Sequence, residues 1–326
     1  MSFQNIIDDL TGDLKEVDKI ILEFAQGKSP LIQEISNHLV ASGGKRIRPI
    51  LLILSARLFS QNPVFNLAAA VELIHTATLL HDDVVDVSEV RRGKKTANAI
   101  WDNKASILVG DYLFSIAFQL MVRSNNLAVL DLLAKTSSTM ADGEVMQLEN
   151  SSDIKISEEK YLEIIFGKTA VLFSAACEVG ALANNRSDLE IKSLREFGKN
   201  LGIIFQIVDD VLDYSASEKI LGKDIGNDFF EGKVTLPIIL LYKAASDADR
   251  KIITEIFSKN LIASQKNESD FEAILSLIEK YKSFDLSKEM AIRYKLLALQ
   301  NLDIFPDSKI KSSLIAVLEH ALARLY

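Results

Sequence analysis

The stretch FNLAAAVELIHTATLLHDDVVDV, residues 65–87, decides the fold class of this chain. It contains the consecutive strong helix formers Ala68, Ala69 and Ala70 and is predicted to form one long apolar helix. The helix is expected to end in a cluster of acidic side chains. A second apolar stretch, residues 188–215, is also predicted to be helical and ends in the same kind of cluster.

Most of the remaining sequence has helical periodicity as well. Further helices are predicted over residues 2–25, 30–42, 49–59, 96–123, 127–149, 158–183 and 235–245. Polar or charged loops are predicted over residues 88–96, 216–233 and 264–270. The 326 residues include only 14 glycines and 5 prolines, whereas a sheet protein of this size needs many tight turns. Because no linker divides the chain, we predict an all-α fold with a single domain over residues 1–326.

The bulk composition excludes several classes of protein. A net charge of −8 argues against nucleic acid as the main partner. The single cysteine, Cys177, rules out an internal disulfide and suits a reducing compartment, so a cytoplasmic location is expected. The first residues carry acids where a signal peptide would need bases and an apolar run. No run of about 20 uncharged apolar residues occurs, so no membrane span is expected.

The two acidic clusters share the pattern Asp-Asp-x-x-Asp. Their members are Asp82, Asp83 and Asp86 in the first cluster and Asp209, Asp210 and Asp213 in the second. On a helix, the outer two carboxylates of each cluster are one turn apart on one face and repel each other. A divalent cation removes that repulsion, and Mg²⁺ typically takes one or two carboxylates together with substrate phosphates. The middle aspartates point elsewhere, so we expect them to form salt bridges or to support the outer pair.

Basic residues accompany both clusters. The candidates are Lys45 and Arg48 in GGKRIRP (43–49), Arg91 and Arg92 in RRGKK (91–95), Lys223 and Lys233 after the second cluster, Lys168 with Thr169, and His75. Any one of the Lys or Arg residues alone would be interpreted as ordinary surface charge, and His75 alone as a histidine of the core. Together with the clusters they indicate a diphosphate that is held by metal on one side and by Lys and Arg on the other.

At these residues the sequence resembles the trans-isoprenyl diphosphate synthase, or polyprenyl synthetase, family. The matching segments are GGKRIRP (43–49), VELIHTATLLHDDVVD (71–86), RRGKKTAN (91–98), LVGDYLF (108–114), GEVMQL (143–148), GKTA (167–170), FQIVDDVLDY (205–214) and GKDIGNDFFEGKVTLP (222–237). The resemblance implies a bundle of mostly antiparallel helices around a central cavity, the isoprenoid synthase fold, and a homodimer. It covers the chain in family order as far as residue 237, and the rest carries little signature.

The resemblance also implies roles for single residues. Those expected to bind isopentenyl diphosphate are Lys45, Arg48, His75 and Arg92. Those expected to bind the allylic diphosphate are Arg91, Lys168, Lys223 and Lys233. Of the six catalytic aspartates, those expected to hold about three Mg²⁺ ions are Asp82, Asp86 and Asp209, with Asp213 nearby. Those expected to lie along the forming allylic cation are Thr169 and Gln206.

The length of the product is expected to depend on the helix before the first cluster, where a prenyl tail would enter the bundle. The residues expected along its path are Ala77 and Thr78 first, Ile74 and Ala70 deeper, and Met121 and Leu133 as a floor that could equally be ordinary core. Because the first positions are small, the path is open, and each helical turn of about 5.4 Å matches about one isoprene unit. The segment HTATLLHDDVVD resembles the long-chain branch, which makes octaprenyl to decaprenyl diphosphates for quinone side chains. Such an apolar product would allow a peripheral membrane contact.

Other functions remain open. A class I terpene cyclase also ionises diphosphates at Asp-rich helices, but it usually pairs one such cluster with a different metal motif. A non-catalytic subunit of a two-component synthase would be an interaction protein, although such subunits tend to lose aspartates that this chain keeps. A shorter-chain geranylgeranyl synthase and a metal-free helical scaffold are further alternatives, and the scaffold would leave the paired acids and bases unexplained.

Overall fold

The structure, a computed structural model, describes residues 2–41, 43–91, 93–215, 226–259 and 266–325. Its helices are, in chain order, α1 (Phe3–Phe24), α2 (Pro30–Ala41), α3 (Ile47–Arg57), α4 (Phe65–Val85), α5 (Ala97–Ile100), α6 (Asn103–Arg123), α7 (Leu127–Glu149), α8 (Glu158–Ile165), α9 (Val171–Leu182), α10 (Asp188–Asp213), α11 (Asn227–Glu231), α12 (Leu236–Ala244), α13 (Asp247–Ser258), α14 (Glu268–Lys280), α15 (Ser283–Leu302) and α16 (Lys309–Ala323). A π-helical turn, Phe166–Ala170, lies between α8 and α9, and two short strands, β1 (Val90–Arg91) and β2 (Lys94–Lys95), pair as an antiparallel ribbon. The predicted all-α fold class is confirmed.

The chain divides into two compact units. Unit 1 comprises residues 1–138, 172–198 and 299–317, and unit 2 comprises residues 139–171, 199–298 and 318–326. Within unit 1, α4 packs against α1, α3 and α6, and its residues from Leu67 to Ile74 are all buried. A helix that is buried on every side belongs to a core, which explains why every residue of this stretch except Glu72 is apolar.

A buried ion pair holds the start of α3 in unit 1. The helix begins at Ile47, two residues before the predicted start at Pro49. Arg46 precedes it in a left-handed conformation with φ 49°. Its guanidinium lies 2.7 Å from the Glu72 carboxylate on α4 and 3.0 Å from that of Asp18 on α1. Arg46, the middle cation of GGKRIRP, therefore forms ion pairs within the fold.

Replacing Arg46 by methionine should lower the free energy of unfolding by about 3 kcal/mol, because Glu72 would stay buried without its cation. Denaturant titration followed by circular dichroism measures the loss. Lys135→Met is the matched control, since its ion pair with Asp131 is mostly exposed and should contribute less than about 1 kcal/mol. Equal stability of Arg46→Met and wild type would contradict the role of this ion pair.

Several local features differ from the sequence predictions, among them the short helix α11 (Asn227–Glu231) inside the loop predicted over residues 216–233. Residues 96–123 form two helices, because Asp102 adopts φ 141° and its side chain accepts a hydrogen bond from the Ala105 amide as the N-cap of α6. The loop predicted over residues 88–96 contains the β1–β2 ribbon. The helix predicted over residues 158–183 contains the π-helical turn.

Two of the described helical segments are long and apolar enough to span a membrane, by length and composition alone. In the most apolar 18-residue window of each segment, 50% of Asn103–Arg123 and 89% of Glu158–Leu182 is buried. The second has the burial of a core helix. The first leaves apolar side chains on the surface of unit 1.

Candidate active site

The first aspartate cluster lies on the last turn of α4 in unit 1. Asp82 and Asp86 are half-buried there, whereas Asp83 is buried and accepts a hydrogen bond from Arg91 Nε at 2.7 Å. Burial raises the pKa of the Asp83 carboxyl, and the charge of Arg91 opposes that shift. Asp83 thus forms the salt bridge that helix geometry predicts for a middle aspartate, on a different face from the outer pair.

A tight turn brings Arg91 back to α4. Val87 follows the helix in the left-handed region, with φ 52°, and the Ser88 amide donates to the Asp83 carbonyl at 2.9 Å. The Asn98 side-chain amide donates to the carbonyls of both Asp83 and Ser88. These bonds fix the β1–β2 ribbon against the end of α4.

The candidate ligands of isopentenyl diphosphate that the structure describes belong to unit 1. Lys45 is exposed, and Arg48 is half-buried with its guanidinium 4.5 Å from the centre of the Phe173 ring. His75 is half-buried on α4, two turns before the cluster. Arg92 lies outside the described residues.

The second cluster carries a hydrogen-bond network in unit 2. Thr169 Oγ1 donates to Gln206 Oε1 at 2.6 Å, and Gln206 Nε2 donates to Asp210 Oδ1 at 2.7 Å. The Tyr161 hydroxyl donates to the other oxygen of Asp210 at 2.6 Å. Three elements, α8, the π-helical turn and α10, are thereby tied to the middle aspartate of the cluster.

Burial controls protonation in this network. It raises the pKa of the Asp210 carboxyl; the neighbouring Asp228 carboxylate adds to the shift, and the hydrogen bonds from Tyr161 and Gln206 oppose it. Burial and the nearby Asp210 also raise the pKa of Tyr161 well above its usual value. The tyrosine hydroxyl therefore stays protonated and remains a donor at neutral pH.

Lys168 is placed by the π-helical turn. Its ammonium group lies 2.9 Å from Glu144 Oε2 and 2.7 Å from Gln147 Oε1, both on α7. The two segments cross closely, because a Cβ atom added at Gly143 would lie 2.5 Å from the Lys168 amide nitrogen and one added at Gly167 would lie 2.9 Å from Gly143 Cα. Single π-helical turns inside α-helices occur frequently at functional sites.

The outer aspartates of the second cluster have separate partners in unit 2. Asp209 is about half exposed, and Arg324 Nη2 lies 3.4 Å from its carboxylate. Asp213 Oδ2 accepts a hydrogen bond from the Asp228 amide at 3.0 Å, which ties α10 to α11. Lys233, just after α11, lies 2.6 Å from Glu231. Lys223, the other cation predicted in this loop, lies outside the described residues.

The aspartate clusters fit a magnesium-type ion. No group of three or more His, Cys, Asp or Glu side chains that could hold a metal by itself occurs in the described part of the chain. Each cluster instead offers two partly exposed carboxylates one turn apart, while its middle carboxylate is engaged with other side chains. Such a pair suits an ion that completes its coordination with phosphate oxygens.

The residues predicted to set product length lie mostly in buried positions of unit 1. Thr78 is half-buried, and its hydroxyl donates to the His75 carbonyl at 2.9 Å. The fully buried ones are Ala70, Ile74, Ala77, Met121 and Leu133. Their burial agrees equally with a lined path and with ordinary core, so their role stays a prediction.

Sequence reasoning missed several residues of these networks. Glu144 and Gln147 lie in the segment GEVMQL, and their spacing of three residues on one helix face was the signal that could have revealed them. Tyr161 and Asp228 had no such signal, because their partners Asp210 and Asp213 are distant in sequence.

The chain is similar to known proteins over almost its whole length. Residues 29–278 match the family model described as polyprenyl synthetase. The octaprenyl diphosphate synthase of Haemophilus influenzae is 38% identical over 316 residues, which cover 96% of this chain and 94% of that protein.

Solved structures give the same result. A decaprenyl diphosphate synthase from Rhodobacter capsulatus has a TM-score of 0.93 at 39% identity, covering 99% of both chains. A polyprenyl synthase from Caulobacter crescentus, complexed with calcium and isoprenyl diphosphate, has a TM-score of 0.93 at 40% identity, covering 99% of this chain and 98% of that one.

Proposed function

We propose that this chain, which belongs to the polyprenyl synthetase family, is a prenyltransferase that makes long-chain polyprenyl diphosphates in the octaprenyl to decaprenyl range. It would condense an allylic diphosphate, farnesyl or geranylgeranyl, with successive isopentenyl diphosphates in trans. The observation that carries this proposal is the pair of matching aspartate clusters, each with its middle carboxylate engaged by neighbouring side chains and its outer two one turn apart. The likeness to octaprenyl and decaprenyl diphosphate synthases supports the long product.

The charged residues would act on the leaving group. The outer aspartates would hold Mg²⁺, about three ions per site, and these ions would supply positive charge against the diphosphate. The calcium in the related Caulobacter crescentus structure supports a divalent ion. Lys168, oriented by Glu144 and Gln147, would donate hydrogen bonds to the allylic diphosphate, with Arg91, Lys223 and Lys233.

The remaining steps need little from ionisable side chains. After the allylic C–O bond breaks, the Thr169 hydroxyl and the Gln206 amide would lie along the cation. The double bond of isopentenyl diphosphate, held by Lys45, Arg48, His75 and Arg92, would attack that cation. A proton would then leave the new chain for the departed pyrophosphate. Apolar walls would exclude water, which would otherwise quench the cation.

We further propose that residues 1–326 form one catalytic domain that carries both aspartate clusters. Each cluster alone offers only two outer carboxylates, and the candidate ligands of the allylic diphosphate occur in both units, with Arg91 in unit 1 and Lys168 and Lys233 in unit 2. The end product would serve quinone side chains, and a cytoplasmic location suits the single cysteine, Cys177, which is buried and has no disulfide.

Incubation of the purified chain with farnesyl diphosphate, excess isopentenyl diphosphate and Mg²⁺ tests this function. A ladder of products that ends in the octaprenyl to decaprenyl range is expected. A cyclic hydrocarbon would identify a terpene cyclase. No turnover with any allylic starter would identify a non-catalytic subunit, and both results would contradict the proposal.

We propose that the protein is a homodimer joined through α6. Ile107, Leu108, Phe118 and Val122 are exposed and lie within about 100° of one another round this helix, with the exposed Asp111 between the two pairs. A stripe of large apolar side chains on the surface indicates a binding face. A second copy of the chain fits it, because the family resemblance implies a homodimer.

Val122→Asp should convert the dimer to a monomer, because it would place a carboxylate without a partner in the proposed interface. Sedimentation equilibrium measures the dissociation constant of the dimer, and we expect this constant to rise at least about 100-fold. Leu189→Asp is the matched control, since Leu189 is equally exposed on α10 but lies off this stripe. A monomeric wild-type chain, or a dimeric Val122→Asp variant, would contradict the interface.

A further inference from the structure

A cluster of aromatic side chains surrounds α11 in unit 2. Phe229, the middle residue of that short helix, is fully buried. Its ring lies 5.7 Å from that of Phe257 on α13 and 5.3 Å from that of Phe271 on α14, centre to centre. Phe271 also contacts Phe230 and Tyr214, with ring centres 5.7 and 6.0 Å away. Packing by rings from two helices fixes the position of α11.

A lysine lies inside this cluster. The ammonium nitrogen of Lys266 is 4.1 Å from the centre of the Phe229 ring and 4.0 Å from that of Phe257. It also donates a hydrogen bond to the Phe229 carbonyl at 2.6 Å. Contacts of a cation with two ring faces and a carbonyl are directional, so they restrain α11 more specifically than apolar packing alone.

The residue next to Phe229 connects this lysine to the candidate active site. The Asp228 amide donates to Asp213 Oδ2 at 3.0 Å, and the Lys233 amide donates to the Asp228 carbonyl at 2.8 Å. A shift of α11 would therefore move both the hydrogen bond to an outer aspartate and the backbone of a candidate diphosphate ligand.

We propose that Lys266 is a positioning residue for the half of the active site that would bind the allylic diphosphate. The proposal rests on the prenyltransferase function proposed above. It assigns a role to a residue beyond residue 237, where the sequence motifs end. Burial lowers the pKa of Lys266 to about 7, and the charge of Asp270 only partly opposes this. Burial thus disfavours the charged form of this side chain, a cost that an apolar side chain would avoid.

Lys266→Met tests the proposal, because it keeps the length of the side chain and removes the ammonium group. We expect KM for the allylic diphosphate to rise about tenfold, since a charge-assisted hydrogen bond and two cation–π contacts are lost. KM for isopentenyl diphosphate should not change, because its described candidate ligands belong to unit 1. Amide hydrogen exchange of α11 in the substrate-free protein should become faster. Lys266→Arg should restore most of the wild-type KM, because it retains a cation.

Lys243→Met is the matched control, since Lys243 forms an exposed ion pair with Glu158 in the same unit, and this variant should behave as wild type. Unchanged exchange in α11, or equal increases in both KM values, would overturn the positioning role. The exchange measurement needs no turnover. An inactive wild-type protein would therefore contradict the proposed function, while the exchange rates would still decide the role of Lys266.

Discussion

Asp82→Asn should lower kcat about a thousandfold while leaving the protein folded, because the substitution keeps the shape of the side chain and removes its charge. Asp82 is half-buried at the end of α4 and is proposed to hold Mg²⁺ against the allylic diphosphate. The loss would fall on kcat, since the leaving group gains charge as the C–O bond breaks. Single-turnover assays with farnesyl and isopentenyl diphosphates measure this step directly.

Asp83→Asn is the informative comparison, because it makes the same chemical change one residue later. Asp83 is buried against Arg91, so its loss should lower stability more and kcat less than the loss of Asp82. Asp131→Asn, at an exposed ion pair, should change neither quantity. The opposite ranking, with Asp83→Asn nearly inactive and Asp82→Asn nearly unaffected, would show that the middle aspartate carries the chemistry.

The sequence predicted the long helices well because their packing faces leave a periodic pattern. The predictions over residues 2–25 and 127–149 agree within two residues with α1 (Phe3–Phe24) and α7 (Leu127–Glu149). The break before α6 was missed, because it depends on the backbone conformation of one residue, Asp102. The π-helical turn was missed because it adds only one residue to a turn. The segment around it still shows the apolar pattern of a continuous helix.

The residues that carry charge in the site could be predicted, but most of their partners could not. Two Asp-Asp-x-x-Asp clusters are visible in the sequence, and helix geometry alone separates the middle aspartates from the outer ones. The identity of their partners depends on tertiary packing. Tyr161 contacts Asp210 from 49 residues away, and Lys266 contacts Phe229 from 37 residues away. That both clusters belong to one catalytic domain stays a prediction.

Ala77→Phe should shorten the product from the octaprenyl to decaprenyl range to about C20, one condensation beyond the farnesyl starter. Ala77 precedes Asp82 by five residues, which places it about 7.5 Å further along α4 at 1.5 Å per residue. A prenyl tail that grows along this helix would meet a phenyl ring after very few isoprene units. Mass spectrometry of the dephosphorylated products, after incubation with farnesyl and isopentenyl diphosphates, measures their length.

A shorter product could also result from general crowding of the core. A control substitution on the same helix distinguishes this explanation from a blocked path. Ala68 is also fully buried but lies nine residues before Ala77, about 180° round α4. Ala68→Phe should cost about 1–3 kcal/mol of stability through overpacking and leave product length unchanged. Ala77→Leu, a smaller change, should give products of intermediate length and guards against misfolding of Ala77→Phe. Full-length products from both Ala77 variants would show that this face of α4 is ordinary core, because a side chain that lines no path cannot stop a growing chain.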